Sequence, residues 1–388
     1  MAAERIHIEQ FLELAKHHPV IDVRSPGEYS HAFMPGAKSL PLFTDEERKV
    51  VGTAYKQQSR EVAIKIGLDY FGPKMRKMVE EVESLVGSRE LEAKYEVQSL
   101  KYKNSEIAKT VLQTSKIVLV YCWRGGMRSG AVSWLLDMYG FKVYTLIGGY
   151  KKFRNYVLDT FKLPFQFNIL GGYTGSGKTE LLNALKAKNE AVLDLEAAAS
   201  HKGSAFGSIG MPPQPGQEMF ENLLGCQLRV VLCQANSQIP TTDSRQPTTA
   251  IWLEDESQRI GHVNIPHELW KTMRKSPVYF LDIPFAERLQ HIVQEYGQLD
   301  QQMVIDAISR ISQKLGHLNA KTAILLQKEG KIAESFEILL AYYDKHYFKS
   351  LHNREGINSL LQTIPCKSVT PENANQLLLQ RRPAPQKH

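Results

Sequence analysis

Residues Phe165–Leu185 read FQFNILGGYTGSGKTELLNAL, an apolar run that passes through a glycine-rich turn into apolar residues at helical spacing. Strand, loop and helix in that order are what the embedded GxxxxGKT pattern, Gly172 to Thr179, requires of a phosphate cradle. Gly172, Gly175 and Gly177 let the loop, with Tyr173, Thr174 and Ser176 between them, present a nest of backbone N–H groups to phosphate oxygens. Lys178 supplies a point charge, and Thr179 can ligate magnesium. This is a P-loop, and it predicts an α/β domain around a parallel sheet.

Working outward from it, Ala191 to Leu195 reads as the next strand, with Asp194 and Glu196 near its tip. Carboxylates there can hold metal or water, and they can equally cap a helix. Ala250 to Leu253 and Val278 to Ile283 continue the β/α alternation and predict a mostly parallel sheet over residues 164–284. Ahead of them, Glu218 to Gln234 predicts a helix with Cys226 and Cys233 on one core face, and Asn236 to Thr249 a polar surface loop. Residues 285–388 predict a helical C-terminal part, with helices at 285–296, 303–315, 320–327 and 332–343 and a frayed end. Its stretch AYYDKHYFKSLHNR interleaves Tyr347, Lys349 and Arg354 with further aromatic residues. Two readings fit: a surface that stacks bases and neutralises phosphates, or an aromatic helix face in a core.

Upstream of the P-loop lies a second strand–loop–helix, with VYCWRGGMRSG at residues 120–130. The run Ile117 to Tyr121 predicts a buried strand, Ser129 to Tyr139 a helix, and Cys122 stands at the strand's end. Unpaired N–H groups at a helix start, Gly125 and Gly126, and the charges of Arg124 and Arg128 make an anion seat, with Trp123 and Met127 completing the loop. Such surroundings favour the thiolate, so Cys122 reads as a nucleophile, with sulfur transfer and phosphate hydrolysis both open. Val20 to Val23, Ser39 to Leu42 and Lys142 to Ile147 predict further strands of a small parallel sheet, and a helix opens at Gly148-Gly149-Tyr150. Residues 44–116 read as a charged helical insertion, and Leu163-Pro164 as the boundary, giving a first domain over 1–163.

The 388 residues suffice for two or three domains, and the composition is that of a globular protein. Four cysteines lie scattered with no CxxC pair, so neither a zinc site nor a disulfide framework is expected, which fits a reducing cytoplasm. No apolar run is long enough to span a membrane, and the first residues lack a secretion pattern. A net charge of +7 fits an anionic partner.

The segment IDVRSPGEYSHAFMPGAKSLPL resembles the entry motif of rhodanese domains, and the cysteine loop resembles their catalytic loop. Here Arg128 lies six positions after Cys122, one more than in the usual rhodanese loop and the same as in cysteine phosphatases. The fusion of such a domain to a P-loop domain, with CWRGGMRSG, GGYTGSGKTELL, DLEAAASHKGSAFG, IWLEDESQRIG and EGKIAESFEILLAYYD, resembles the tRNA 2-selenouridine synthase family over nearly the whole chain. That resemblance implies a transferase that replaces sulfur by selenium in 2-thiouridine at the tRNA wobble position, with selenophosphate and geranyl diphosphate as co-substrates. It implies that Cys122 carries selenium while Arg124, Arg128 and the loop amides hold the donor's phosphate. It leaves the P-loop to a nucleotide or to the prenyl diphosphate. Lys202, Ser204, Glu256 and Arg259, in the family-like blocks, are candidates to complete that second site. The competing reading is a rhodanese-fold sulfurtransferase or cysteine phosphatase fused to a P-loop kinase or ATPase acting on a small molecule. The oligomeric state is not legible.

Overall fold

The computed structural model describes residues 3–99, 116–237, 250–297 and 299–380. The expected polar loop, apart from its first two residues, the end of the insertion and the last eight residues lie outside these. The chain divides into two compact units, Met1–Asp159 and Thr160–His388.

The first unit is built on five parallel strands, β1 (Glu4–Ile6), β2 (Val20–Asp22), β3 (Lys38–Ser39), β4 (Ile117–Tyr121) and β5 (Lys142–Leu146), in the order β1-β5-β4-β2-β3. The central β4 is apolar at every position because both of its faces are covered, as a parallel sheet requires. Helix Met127–Tyr139 packs beside it, and its core side chains Val132, Leu135 and Leu136 are buried. The insertion opens on a capping box, in which Thr44 accepts from the Glu47 N–H and the Glu47 side chain accepts from the Thr44 N–H. It continues through helices Asp45–Gln57, Arg60–Phe71 and Met75–Ser99.

The second unit carries four parallel strands, β6 (Phe167–Gly172), β7 (Ile251–Glu254), β10 (Val278–Asp282) and β11 (Leu361–Pro365), in the order β11-β10-β6-β7. A short antiparallel hairpin pairs β8 (Arg259–Ile260) with β9 (Val263–Asn264). The P-loop thus leaves the sheet between β10 and β7 and enters helix Lys178–Ala187.

Four expectations need correcting. Ala191 to Leu195 makes only one bridge, Val192 to Trp252, because the Asp194 carboxylate accepts the Ala197 N–H at 2.7 Å and turns the chain into helix Leu195–Ala199. The C-terminal part is not wholly helical: β11 extends the sheet beside β10, and helix Asn373–Gln380 packs back on helix Lys178–Ala187. The helix expected at 303–315 is two, Gln301–Arg310 and Ser312–Leu315. On helix Gln217–Ser237, Cys226 faces inward, and burial pushes its thiol up to about 12, whereas Cys233 is exposed.

Candidate functional site

The first site is the turn after β4. Helix Met127–Tyr139 starts two residues earlier than its sequence suggests, so the cysteine loop is only Cys122 to Gly126. The Gly126 N–H donates to Cys122 Sγ at 3.3 Å, and Ser129 Oγ lies 3.2 Å from the same sulfur. Gly125 has φ +65°, and a Cβ there would lie 2.4 Å from the Leu146 carbonyl oxygen, so the loop tolerates only glycine. The N-terminal turn of helix Gly149–Thr160 closes the base: the Tyr150 N–H donates to the Cys122 carbonyl at 2.8 Å and the Lys151 N–H to that of Trp123 at 3.0 Å.

The loop's side chains have different fates. Trp123 is partly exposed beside Tyr150, with ring centroids 5.7 Å apart, and Met127 is exposed. Arg124 is exposed and makes no ion pair among the described residues. Arg128 was expected to grip an anion, but its guanidinium is committed to Glu28, with Nη1 donating at 2.6 Å and Nη2 at 3.3 Å. Burial alone would raise the Glu28 carboxyl; Arg128 and the Ser25 N–H outweigh it and hold it below the usual value. Arg24, buried against Asp22, lies over the Tyr150 ring at 3.9 Å and supports the loop from beneath.

The second site is a cleft of about 460 Å³ over the P-loop. Gly175 (φ +80°) and Gly177 (φ +67°) each pass where a Cβ would lie within 2.8 Å of neighbouring atoms, the first against the Arg288 carbonyl, the second against Val369. Arg288 is a strut for the loop: it donates to the Thr174 carbonyl at 3.1 Å, pairs with Asp344 at 2.7 Å and lies 4.9 Å from the Tyr173 ring centre. Lys178 Nζ donates to the Gly172 carbonyl at 3.1 Å, and Thr179 Oγ1 donates to Glu196 Oε2 at 3.3 Å. Ser176 Oγ is buried with no hydrogen-bond partner among the described residues.

Glu196 and Glu256 share the cleft with Lys178. Burial, then the Glu196 charge, pushes Glu256 up to about 8, which favours a single proton held between the two carboxyls. The Glu196 carboxyl is itself raised by burial, against the pull of Lys178. The pair therefore carries one negative charge where two would repel phosphate. Lys202 and Ser204 also line the cleft, Lys202 paired to Glu295 and Ser204 Oγ accepting the Phe206 N–H.

Several expected residues are elsewhere. Asp194 is a helix cap. Arg259 lies on the exposed hairpin, donating to the Gly261 carbonyl, and Lys349 is exposed outside the cleft. Tyr347 and Arg354 serve the interior: the Tyr347 hydroxyl accepts the Gly172 N–H at 3.2 Å and donates to Asp255 at 2.8 Å, and the buried Arg354 guanidinium pairs with Asp255. Arg354 is buried, as the packed reading has it, whereas Tyr347 is part-buried and lines the cleft.

Sequence reasoning missed Asp255 and Glu254. Both stand at the C-terminal end of β7, the neighbour of β6, which is where a parallel sheet offers side chains to a ligand. Glu254 is fully buried, with one oxygen accepting the Leu195 N–H at 3.2 Å; burial, then Asp194 and Glu196, holds its carboxyl well above the usual range. The motif IWLEDES was the available signal, had its strand been placed beside β6.

The family model described as "tRNA 2-selenouridine synthase AAA domain" matches residues 165–362. The tRNA 2-selenouridine synthase of Nitrosomonas europaea is 34% identical over 284 residues, which are 72% of this chain and 63% of that protein. That of Bdellovibrio bacteriovorus is 33% identical over 303 residues, 76% of this chain and 69% of that protein. That of Hydrogenovibrio crunogenus is 34% identical over 290 residues, 72% of this chain and 68% of that protein. The matched stretch thus spans about two thirds of these relatives' own length, from 63% to 69%. The P-loop cleft falls inside the matched segment, and on these similarities the chain belongs to the tRNA 2-selenouridine synthase family.

Proposed function

We propose that the chain modifies tRNA, replacing sulfur by selenium in 2-thiouridine at the wobble position, with selenophosphate as selenium donor and a geranylated 2-thiouridine as intermediate. In this reading the N-terminal unit is rhodanese-like and Cys122 handles the selenium donor. The observation that carries the reading is the pair of loops held ready for anionic ligands. One presents a buried sulfur at a helix N-terminus, with the Gly126 N–H on it, and the other is a P-loop whose carboxylates share a proton. Family membership supplies the substrate.

Each loop has a part. Alkylation of the 2-thiouridine sulfur turns it into a thioether, so its carbon–sulfur bond can break with a thiol leaving. At the P-loop, Lys178 and the loop amides offset the charge that develops on a departing diphosphate. Magnesium accompanying that diphosphate would be held by Thr179 Oγ1 and Glu196, with phosphate and water supplying its other ligands. We favour transfer from a prenyl diphosphate over nucleotide hydrolysis, because a Glu256 carboxyl whose proton affinity is raised is a poor base for activating an attacking water.

The test is mass spectrometry of wobble nucleosides from tRNA incubated with purified protein, selenophosphate and geranyl diphosphate. Conversion of 2-thiouridine to 2-selenouridine is the expected result. Untouched 2-thiouridine together with cleavage of a phosphoester would reject the reading.

A further inference from the structure

The first unit holds a groove of about 640 Å³ that neither loop requires. Its walls are helices Asp45–Gln57 and Arg60–Phe71 of the insertion and the first turn of helix Met127–Tyr139. That turn also carries the contacts to the Cys122 sulfur, so groove and nucleophile share an element.

The lining is mostly apolar, and two of its cationic side chains, Arg48 and Arg128, pair with Glu28. Val51, Ile64, Leu68 and Met127 face it, and Leu68 is 55% exposed, an arrangement that leaves apolar surface in water unless something covers it. Two glycines keep the groove open. Gly52 and Gly130 lie within helices, neither has positive φ, and a Cβ added at either would meet nothing within 4 Å. Glycine destabilises a helix relative to alanine, and here neither backbone conformation nor packing calls for it. What the missing side chains leave is room in the groove.

The occupant follows from the chemistry of the walls. They are helical, with main-chain groups bonded internally, and so offer no partner to the N–H and C=O groups of an extended peptide. A hydrocarbon chain needs none. At the rim, Lys56 and Arg60 are exposed and make no ion pair among the described residues, which suits an anionic head. The volume is in the range of small-molecule pockets.

We propose that this groove seats the acyclic hydrocarbon chain of an S-alkylated nucleotide, with the nucleotide's phosphate at Lys56 and Arg60. That the groove takes a hydrocarbon stands on its walls; that the chain is geranyl, on 2-thiouridine, rests on the function proposed above. The groove then holds the group that leaves, beside the loop that handles the group that enters.

Calorimetry on the full chain tests this with S-geranyl-2-thiouridine 5′-monophosphate and 2-thiouridine 5′-monophosphate as probes. The geranylated probe should bind at least about tenfold more tightly, from burial of its chain. Gly52→Leu, a better helix former that fills the groove, should remove that advantage, as should Leu68→Ser at an exposed position. Lys178→Ala should keep it, and Arg60→Glu should weaken both probes alike. Equal binding of the two probes, an advantage intact in both groove variants with circular dichroism unchanged, or an advantage lost in Lys178→Ala would each overturn the proposal. Because the readout is binding, failure of the selenium reaction leaves this outcome unaffected.

Discussion

At the scale of single residues, both sites depend on atoms that could not be other than they are. Gly125 holds a left-handed conformation against the Leu146 carbonyl. Gly125→Ala therefore strains the backbone and forces the loop off β5, which should cost about 1–3 kcal/mol in unfolding experiments and displace the sulfur. Glu256 makes the opposite kind of statement, a carboxyl kept protonated by burial and by Glu196. With a folded-state value of about 8 against an ordinary 4.5, the folded protein binds the extra proton between those limits. Stability should fall as pH rises through that window and level off above it. Glu256→Gln removes the titration, so its melting temperature should change less between pH 5 and 9 than that of the parent; parallel curves would show that Glu256 ionises normally.

At the scale of elements, the P-loop is held by a strap that closes from a distant part of the chain. Helix Ile332–His352 brings Tyr347 to the Gly172 N–H and to Asp255, and Arg354, just beyond it, completes the hold on that carboxylate. Arg354→Met would strand a mostly buried carboxylate, at a cost of about 3–5 kcal/mol. Thermal unfolding should show the loss, and phosphate-donor binding should weaken with it, since Asp255 sits where β7 meets the loop. A neutral effect on both would mean that the pair is incidental.

The same scale shows what the sequence made legible. Strands β4 and β6 announce themselves because both faces are buried and nearly every residue is apolar, Asn168 being the exception, and glycines follow or close each of them. Strand β11 does not, since LQTIP carries two adjacent polar residues, Gln362 and Thr363, and ends in proline; it stands in the sheet through its pairing with β10. The chemistry divides likewise. Cys122 and Gly172 to Thr179 are local patterns, whereas Arg128 with Glu28 and Tyr347 with Asp255 are meetings of residues far apart in the chain. Composition could say that a tyrosine and two cations stood together, but not that Tyr347 and Arg354 face the Asp255 carboxylate.

At the scale of the whole molecule, the net charge of +7 matters for a polyanionic substrate. If phosphate contacts dominate tRNA binding, affinity should fall linearly with the logarithm of salt concentration. An affinity unchanged by salt would point to a different mode of recognition. Among the described residues no helix is long and apolar enough to cross a membrane.

In the proposed function, two loops in two units perform two separable steps on one nucleoside. The most direct measurement is the wobble-nucleoside profile of tRNA treated with Cys122→Ser and, separately, with Lys178→Ala, each supplied with both co-substrates. Cys122→Ser should yield geranylated 2-thiouridine and no 2-selenouridine, while Lys178→Ala should lower geranylation itself. Equal loss of both products in both variants would contradict it.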